Sequence, residues 1–216
     1  MSADFDVIVI GSGFGGSVSA LRLAEKGYRV AVLEQGRDLT SADLQRAGSS
    51  VRHLLWAPAL GMRGPLAQKV FANVGVVHGV GVGGGSLVYA AVLLEPKASF
   101  YQAPAWRDLH SDWQRELAPH YQRARQMLGA SVNPYVGLQD DWLQQTAAQL
   151  GRADSYGPVT QGIYFGAPDA AVDPFFAGKG PLRQGCSRCG NCISGCAQGA
   201  KNSLDKNYLH LARQLG

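Results

Sequence analysis

The chain has no cysteine before residue 186 and none after residue 196. A disulfide-stapled scaffold is thereby excluded for most of its 216 residues. Charge of one sign is not concentrated anywhere: 20 Lys and Arg stand against 16 Asp and Glu, giving a formal net charge of +4 with no basic run carrying interleaved aromatics. That dispersion argues against nucleic-acid binding. The opening MSADFDVIVIG has two acids ahead of its apolar run and lacks the positive flank and cleavage site of a signal peptide, so a cytoplasmic chain is expected. A lipid-facing span is missing too, because the longest low-charge run, Val70 to Leu94, carries six glycines between Gly75 and Gly85. No internal repeat or low-complexity tract is present. What remains is a globular chain long enough for one core.

Glycine is abundant, 28 in all, clustered at 11–16, 75–85 and 185–199. The first cluster sits in a readable context. FDVIVI (5–10) is the short β-branched run of a buried parallel strand, GSGFGG follows, SVSALRLAEKG has helical spacing and stops at Gly27, and YRVAVLE returns as a strand ending in Glu34. This is a βαβ unit with a G-x-G-x-x-G turn. Gly11 suits the tight turn, Gly13 a close backbone approach to a pyrophosphate, and Gly16 helix–strand packing; Phe14 and Gly15 complete the loop at the helix N-terminus. Glu34 is placed to accept a hydrogen bond from a ribose hydroxyl, and its charge disfavours a 2′-phosphate. The fingerprint alone leaves FAD and NAD both open.

The second cluster, HGVGVGGGSLVYAAVLL (78–94), offers backbone with little side-chain bulk, able to lie against a flat ligand, with Ser86 supplying a hydroxyl and an amide. Read from glycine content alone, a plain connector between strands remains open. GSGFGG with LEQG, then GVGVGGGSLVY, resembles the glucose-methanol-choline oxidoreductase family, in its cholesterol-oxidase-like bacterial branch. The resemblance continues through PAW at 104–106, the DW…EL…Y…A…MLG pattern of 112–129, DPFF..GKGP at 173–181 and the cysteine run with GAKNSLDKNYL at 186–209. It implies FAD as cofactor, with Gly11, Gly13 and Gly16 at the pyrophosphate, Glu34 at the adenosine ribose, and Gly83, Gly84, Gly85 and Ser86 along the diphosphate and flavin side. Val80 and Tyr89 depart from the broad family pattern, so flavin contacts are not carried over to them.

The implied fold class is α/β: a Rossmann-like FAD-binding βαβ domain, its doubly wound sheet incomplete, with long irregular and helical insertions. Residues 1–100 are expected to form the nucleotide-binding part with its glycine-rich flavin loop, 101–184 a helical and irregular insertion, and 185–216 a cysteine-rich loop and a helix leading back to the first part. Relatives of this family carry the substrate sheet and the catalytic His beyond the point corresponding to Gly216. The resemblance therefore implies the N-terminal portion of an alcohol oxidoreductase. It would act on a sterol hydroxyl, or on a long-chain alcohol or polyol, and pass electrons to O2 or another acceptor, with the catalytic residues unassigned here. Competing readings are an electron-transfer or binding subunit completed by a partner chain, and an NAD-binding module.

Among the histidines, His110, His120 and His210 sit in polar helical contexts, and only His78, beside the glycine belt, is a candidate flavin-side contact. Trp106, Trp113, Trp142 and Tyr121 read as core. Trp113, Leu117, Tyr121, Ala124 and Leu128 recur at helical spacing, with Pro119 expected to split the run into two helices. Leu204, Tyr208, Leu211 and Leu215 predict an amphipathic helix from about Asn202.

The third cluster holds Cys186, Cys189, Cys192 and Cys196, spaced C-x2-C-x2-C-x3-C. This equals the bacterial ferredoxin run short of its closing proline, since Ala197 follows. A 4Fe-4S cluster or another metal is one reading, and a zinc site, disulfides or four reduced structural thiols are the others. In two-cluster ferredoxins the fourth cysteine serves the other cluster, so spacing alone does not show that one run closes one site.

Overall fold

A computed structural model describes residues 4–216. Its first element, β1 (Val7–Ile10), pairs in parallel with β2 (Val30–Leu33), Val7 opposite Val30 and Ile10 opposite Leu33. The crossover between them is α1 (Phe14–Ala24). The helix starts three residues earlier than the SVSALRLAEKG reading, because Ser17 N–H already bonds the Gly13 carbonyl. It ends as expected, with Gly27 in the left-handed region at φ 86° and its N–H on the Ala24 carbonyl.

Helix α2 (Ser41–Ser49) opens on a capping box between Thr40 and Asp43 and is followed by α3 (Val51–Leu54). Two short antiparallel pairs come next, β3 (Trp56–Ala57) with β4 (Met62–Arg63), and β5 (Leu66–Val70) with β6 (Gly75–Gly79). The run Val70 to Leu94 is thus the end of one strand, a second strand and a 3₁₀ turn at Gly84–Leu87. Among the described residues no helix is long and apolar enough to cross a membrane.

Beyond the belt lie α4 (Ala98–Tyr101), α5 (Trp113–Met127), β7 (Ser131–Val132), α6 (Leu138–Gln149) and β8 (Thr160–Gln161), the last pairing with β7. Helix α5 is continuous through Pro119, where two helices were expected. Pro119 is exposed, so the carbonyl it leaves unbonded one turn back faces water and the helix continues. Trp113, Leu117, Tyr121 and Ala124 share its half-buried face, but Trp142 on α6 is 58% exposed and is not core.

A long irregular segment then leads to α7 (Tyr208–Gln214), preceded by a 3₁₀ turn at Leu204–Lys206 rather than by continuous helix from Asn202. The break is at Asn207, whose backbone is non-helical and whose Oδ1 accepts from Tyr208 N–H. Leu215 falls outside the helix and is exposed. The main core joins Leu21 of α1, Met127 of α5, and Leu204, Tyr208 and Leu209. A second, smaller one joins Ala91, Ile163 and Ala200. The architecture is a mixed helix and strand fold built on one βαβ unit, and the expected doubly wound sheet is represented by two parallel strands among the described residues.

Candidate functional site

The G-x-G-x-x-G turn and the glycine belt meet face to face. Gly11 turns the chain out of β1 at φ 91°, its N–H still on the Leu33 carbonyl. A Cβ on Gly16 would run into the Gly11 carbonyl, so the third glycine lets α1 lie against β1. From the belt, Gly84 (φ 52°) abuts Gly13: a Cβ there would stand 2.8 Å from the Gly13 Cα. Gly85 faces Phe14, whose ring makes an edge contact with Tyr89 at 6.2 Å between centroids. Nothing lies within 4 Å of where a Cβ would be on Gly13 or Gly15. The start of α1 is therefore bare backbone, with its unpaired N–H groups at the surface that an anionic ligand would approach.

Ser12, which the pattern leaves as an x, holds this arrangement together. It is 1% exposed, and its hydroxyl bonds a Glu34 carboxylate oxygen at 2.7 Å while accepting from Gly83 N–H at 3.0 Å. Glu34 accepts in addition from the Ser12 and Gly36 amides. Partial burial raises the pKa of this carboxyl, but the Ser12 hydroxyl and the Gly36, Ser12 and Gly81 amides outweigh it and hold the value below the usual range. Glu34 is thus an anion pinned at the end of β2, tying the first glycine loop to the belt.

Ser86 is placed differently from the expectation. It is fully buried, its hydroxyl donating to the Gly83 carbonyl at 2.7 Å and accepting from Leu204 N–H at 2.9 Å. Its side chain faces inward, because the 3₁₀ turn at Gly84–Leu87 rotates it onto the segment preceding α7. Gly83 (φ 106°) caps that turn. His78 lies within β6, half-buried opposite Ala67 and next to Gly79, which packs on Gly84 and Gly85.

All four cysteines are free thiols, and all four line one small cavity together with Ile163, Ala200 and Lys201. Among the described residues no three Cys, His, Asp or Glu side chains converge on a point that a single metal ion could occupy. The sequence reading of Cys186, Cys189, Cys192 and Cys196 as metal ligands is corrected to that extent: there is no preformed single-ion site. The physical reason is the loop itself, which seats Cys186, Cys192 and Cys196 on the second core and leaves Cys189 exposed on the rim.

Two groups that sequence reasoning passed over lie beside these thiols. Lys201 is 1% exposed, and its ammonium donates to the carbonyls of Leu87 (2.8 Å), Tyr89 (3.1 Å) and Cys192, 5.1 Å from the centre of the Tyr89 ring. Burial pushes its pKa down to about 8, against the opposing pull of Cys192 and Cys196. It ties the glycine belt to the cysteine loop. Arg183 is 4% exposed with Nε and Nη2 unpartnered, its guanidinium stacked 5.1 Å over Phe175. Neither has a local signature, since Lys201 stands between Ala200 and Asn202 and Arg183 between Leu182 and Gln184.

Residues 6–73 match the FAD binding domain family. The match runs from β1 through the glycine turn, α1 and β2 to the end of β5, and stops before β6 and the belt. The whole chain is similar to a cholesterol oxidase of Mycobacterium tuberculosis, 46% identical over 222 residues, covering 100% of this chain and 38% of that protein. A cholesterol oxidase of Acinetobacter baumannii is 39% identical over 99% of this chain and 39% of its own length. A long-chain-alcohol oxidase of Arabidopsis thaliana is 26% identical over 94% of this chain and 24% of its own. The chain thus spans less than two fifths of the length of the cholesterol oxidases it matches.

Proposed function

We propose that this chain is the nucleotide-cradling part of an FAD-dependent oxidoreductase that takes a sterol hydroxyl as substrate. The observation that carries the reading is the bare backbone over Gly13 and Gly15 at the start of α1, within a segment matching the FAD binding domain family. The diphosphate would rest on the N–H groups that open α1, where the helix dipole favours negative charge. Gly84 and Gly85, pressed against Gly13 and Phe14, would form the second wall, and Glu34 would receive the ribose while remaining ionised. Bound flavin would supply a hydride acceptor for the carbon bearing the hydroxyl. Sterol is preferred over a long-chain alcohol because the similarity to cholesterol oxidases is far stronger than that to the plant enzyme.

Among the described residues β1 pairs with β2 alone, which suits further strands completing a doubly wound sheet, and Ile8 (60% exposed) and Ile10 (87%) share a face left for another layer to cover. Residues 1–100, 101–184 and 185–216 remain the proposed units, and four unpaired thiols suit a reducing cytoplasm. The test is a titration of the flavin-free chain with FAD, followed by flavin fluorescence, with NADH as competitor. Saturable FAD quenching that NADH does not reverse supports the reading. Protection by NADH without flavin binding would transfer the cradle to a nicotinamide nucleotide.

A further inference from the structure

Two buried cations lie near the cysteine loop, with the Asp205 carboxylate acting on both and Asp173 acting on Arg183 as well. Lys201 and Arg183 are both almost wholly buried, and among the described residues neither joins an ion pair. The nearby Asp205 is already bonded to Lys206 through Oδ2, and its Oδ1 is buried without a partner. A buried cation short of counter-charge is costly, and Lys201 lining the cavity with Arg183 close enough to Cys196 to feel its charge favours a further anion there. The same cavity is lined by four thiols in ferredoxin spacing, and Cys196 is folded back against it rather than projecting to a second site. Two backbone amides already aim at sulfur: Arg188 N–H at Cys186 Sγ and Lys201 N–H at Cys196 Sγ, each at 3.4 Å. Neutral thiols are weak acceptors, whereas thiolates of an iron–sulfur centre characteristically accept such bonds.

We propose that Cys186, Cys189, Cys192 and Cys196 together ligate one 4Fe-4S cluster, whose negative charge compensates buried Lys201 and Arg183. A single zinc ion is the poorer occupant, because it needs its thiolates about 2.3 Å from one point and no three ligands converge on one. A cubane places each iron on its own corner, and so accepts sulfurs that are farther apart. On assembly each Sγ–H bond breaks, its proton passes to solvent, and one Sγ–Fe bond forms. Equal ferrous and ferric iron with sulfide supplies the oxidised core without any further oxidant. The resulting centre with its thiolates is a dianion, opposite in sign to the two buried cations. The loop from Arg188 to Gly195 is closed by short turns such as Ser194 N–H to the Asn191 carbonyl, and it rests on Leu44 and Gly48 of α2.

The test is anaerobic reconstitution of the chain with equimolar ferrous and ferric iron and sulfide, desalting, and assay of iron, sulfide, zinc and the visible spectrum. The expected result is about four irons and four sulfides per chain with a broad absorption bleached by dithionite. Zinc bound without sulfide, or a folded chain retaining neither iron nor sulfide, would overturn the proposal. Cys189→Ser, at the exposed rim, should leave the circular dichroism and flavin titration unchanged while lowering iron content several-fold. Full iron retention in that variant would mark the iron as adventitious and overturn the assignment. Arg183→Met should release iron to a chelator several-fold faster, a readout that is independent of whether flavin binds.

Discussion

Two loops of this protein are built largely of glycine and small residues, yet they end in opposite electrostatic states. In the junction of the first glycine turn with the belt, the hydroxyls of Ser12 and Ser86 are satisfied within the chain, and what is left to a ligand is bare backbone and the ionised Glu34 carboxylate. Beside the cysteine loop the Lys201 ammonium meets three carbonyls but joins no ion pair, and Arg183 keeps Nε and Nη2 unpartnered, with Asp205 shared between the two cations. A site closed by its own hydrogen bonds is ready for a ligand that comes to its backbone. A site with buried charge left over calls for a ligand that carries the opposite charge.

The largest effect that would sharpen this contrast is expected from Lys201→Met. It strips the donor from three carbonyls that join the belt to the cysteine loop and should lower stability by about 3 kcal/mol, read as a lower urea midpoint. A variant as stable as the parent would mean that the ammonium is not what couples the two loops.

Gly84→Val comes next. It requires a left-handed backbone at a branched residue and a clash with Gly13, for a cost of about 1–3 kcal/mol, and the loss should appear chiefly as weaker FAD binding. Unchanged flavin affinity would place the cofactor away from the Gly13–Gly84 contact. For Ser12→Ala the expected loss is about 1–2 kcal/mol, with Gly83 N–H left without its acceptor.

The smallest effect concerns pH. The Glu34 carboxyl is held below its ordinary value in the fold, so its contribution is present above the unfolded pKa and is lost as pH falls through the folded one. Thermal stability should therefore be flat in this respect near neutrality and decline below about pH 4. Glu34→Gln should flatten that decline; an identical acid profile in the variant would remove Glu34 from the account.

Much of the cradle was legible because each of its requirements is local. A β-branched run, a glycine turn and a helix ending at Gly27 are spelled out within consecutive residues, and they fold as read to within a few positions. The continuity of α5 through Pro119 was not legible, because it depends on whether the orphaned carbonyl faces water. Nor was the inward turn of Ser86, since its partner Leu204 lies far along the chain. Ser12 was hidden for the same reason: an x in a motif has no signature until Gly83 is brought against it.

The sequence by itself determined the βαβ unit, the open glycine turn and the spacing of the four cysteines, because periodicity and turn chemistry act over a few residues. Only the tertiary structure decided that the belt would seal against Gly13 and that Lys201 and Arg183 would be buried beside the thiols. Those outcomes depend on charge and packing between segments a hundred residues apart in some cases, such as Lys201 and the Leu87 carbonyl at a separation of 114. Burial is what turns an ordinary lysine into a charge that needs an answer.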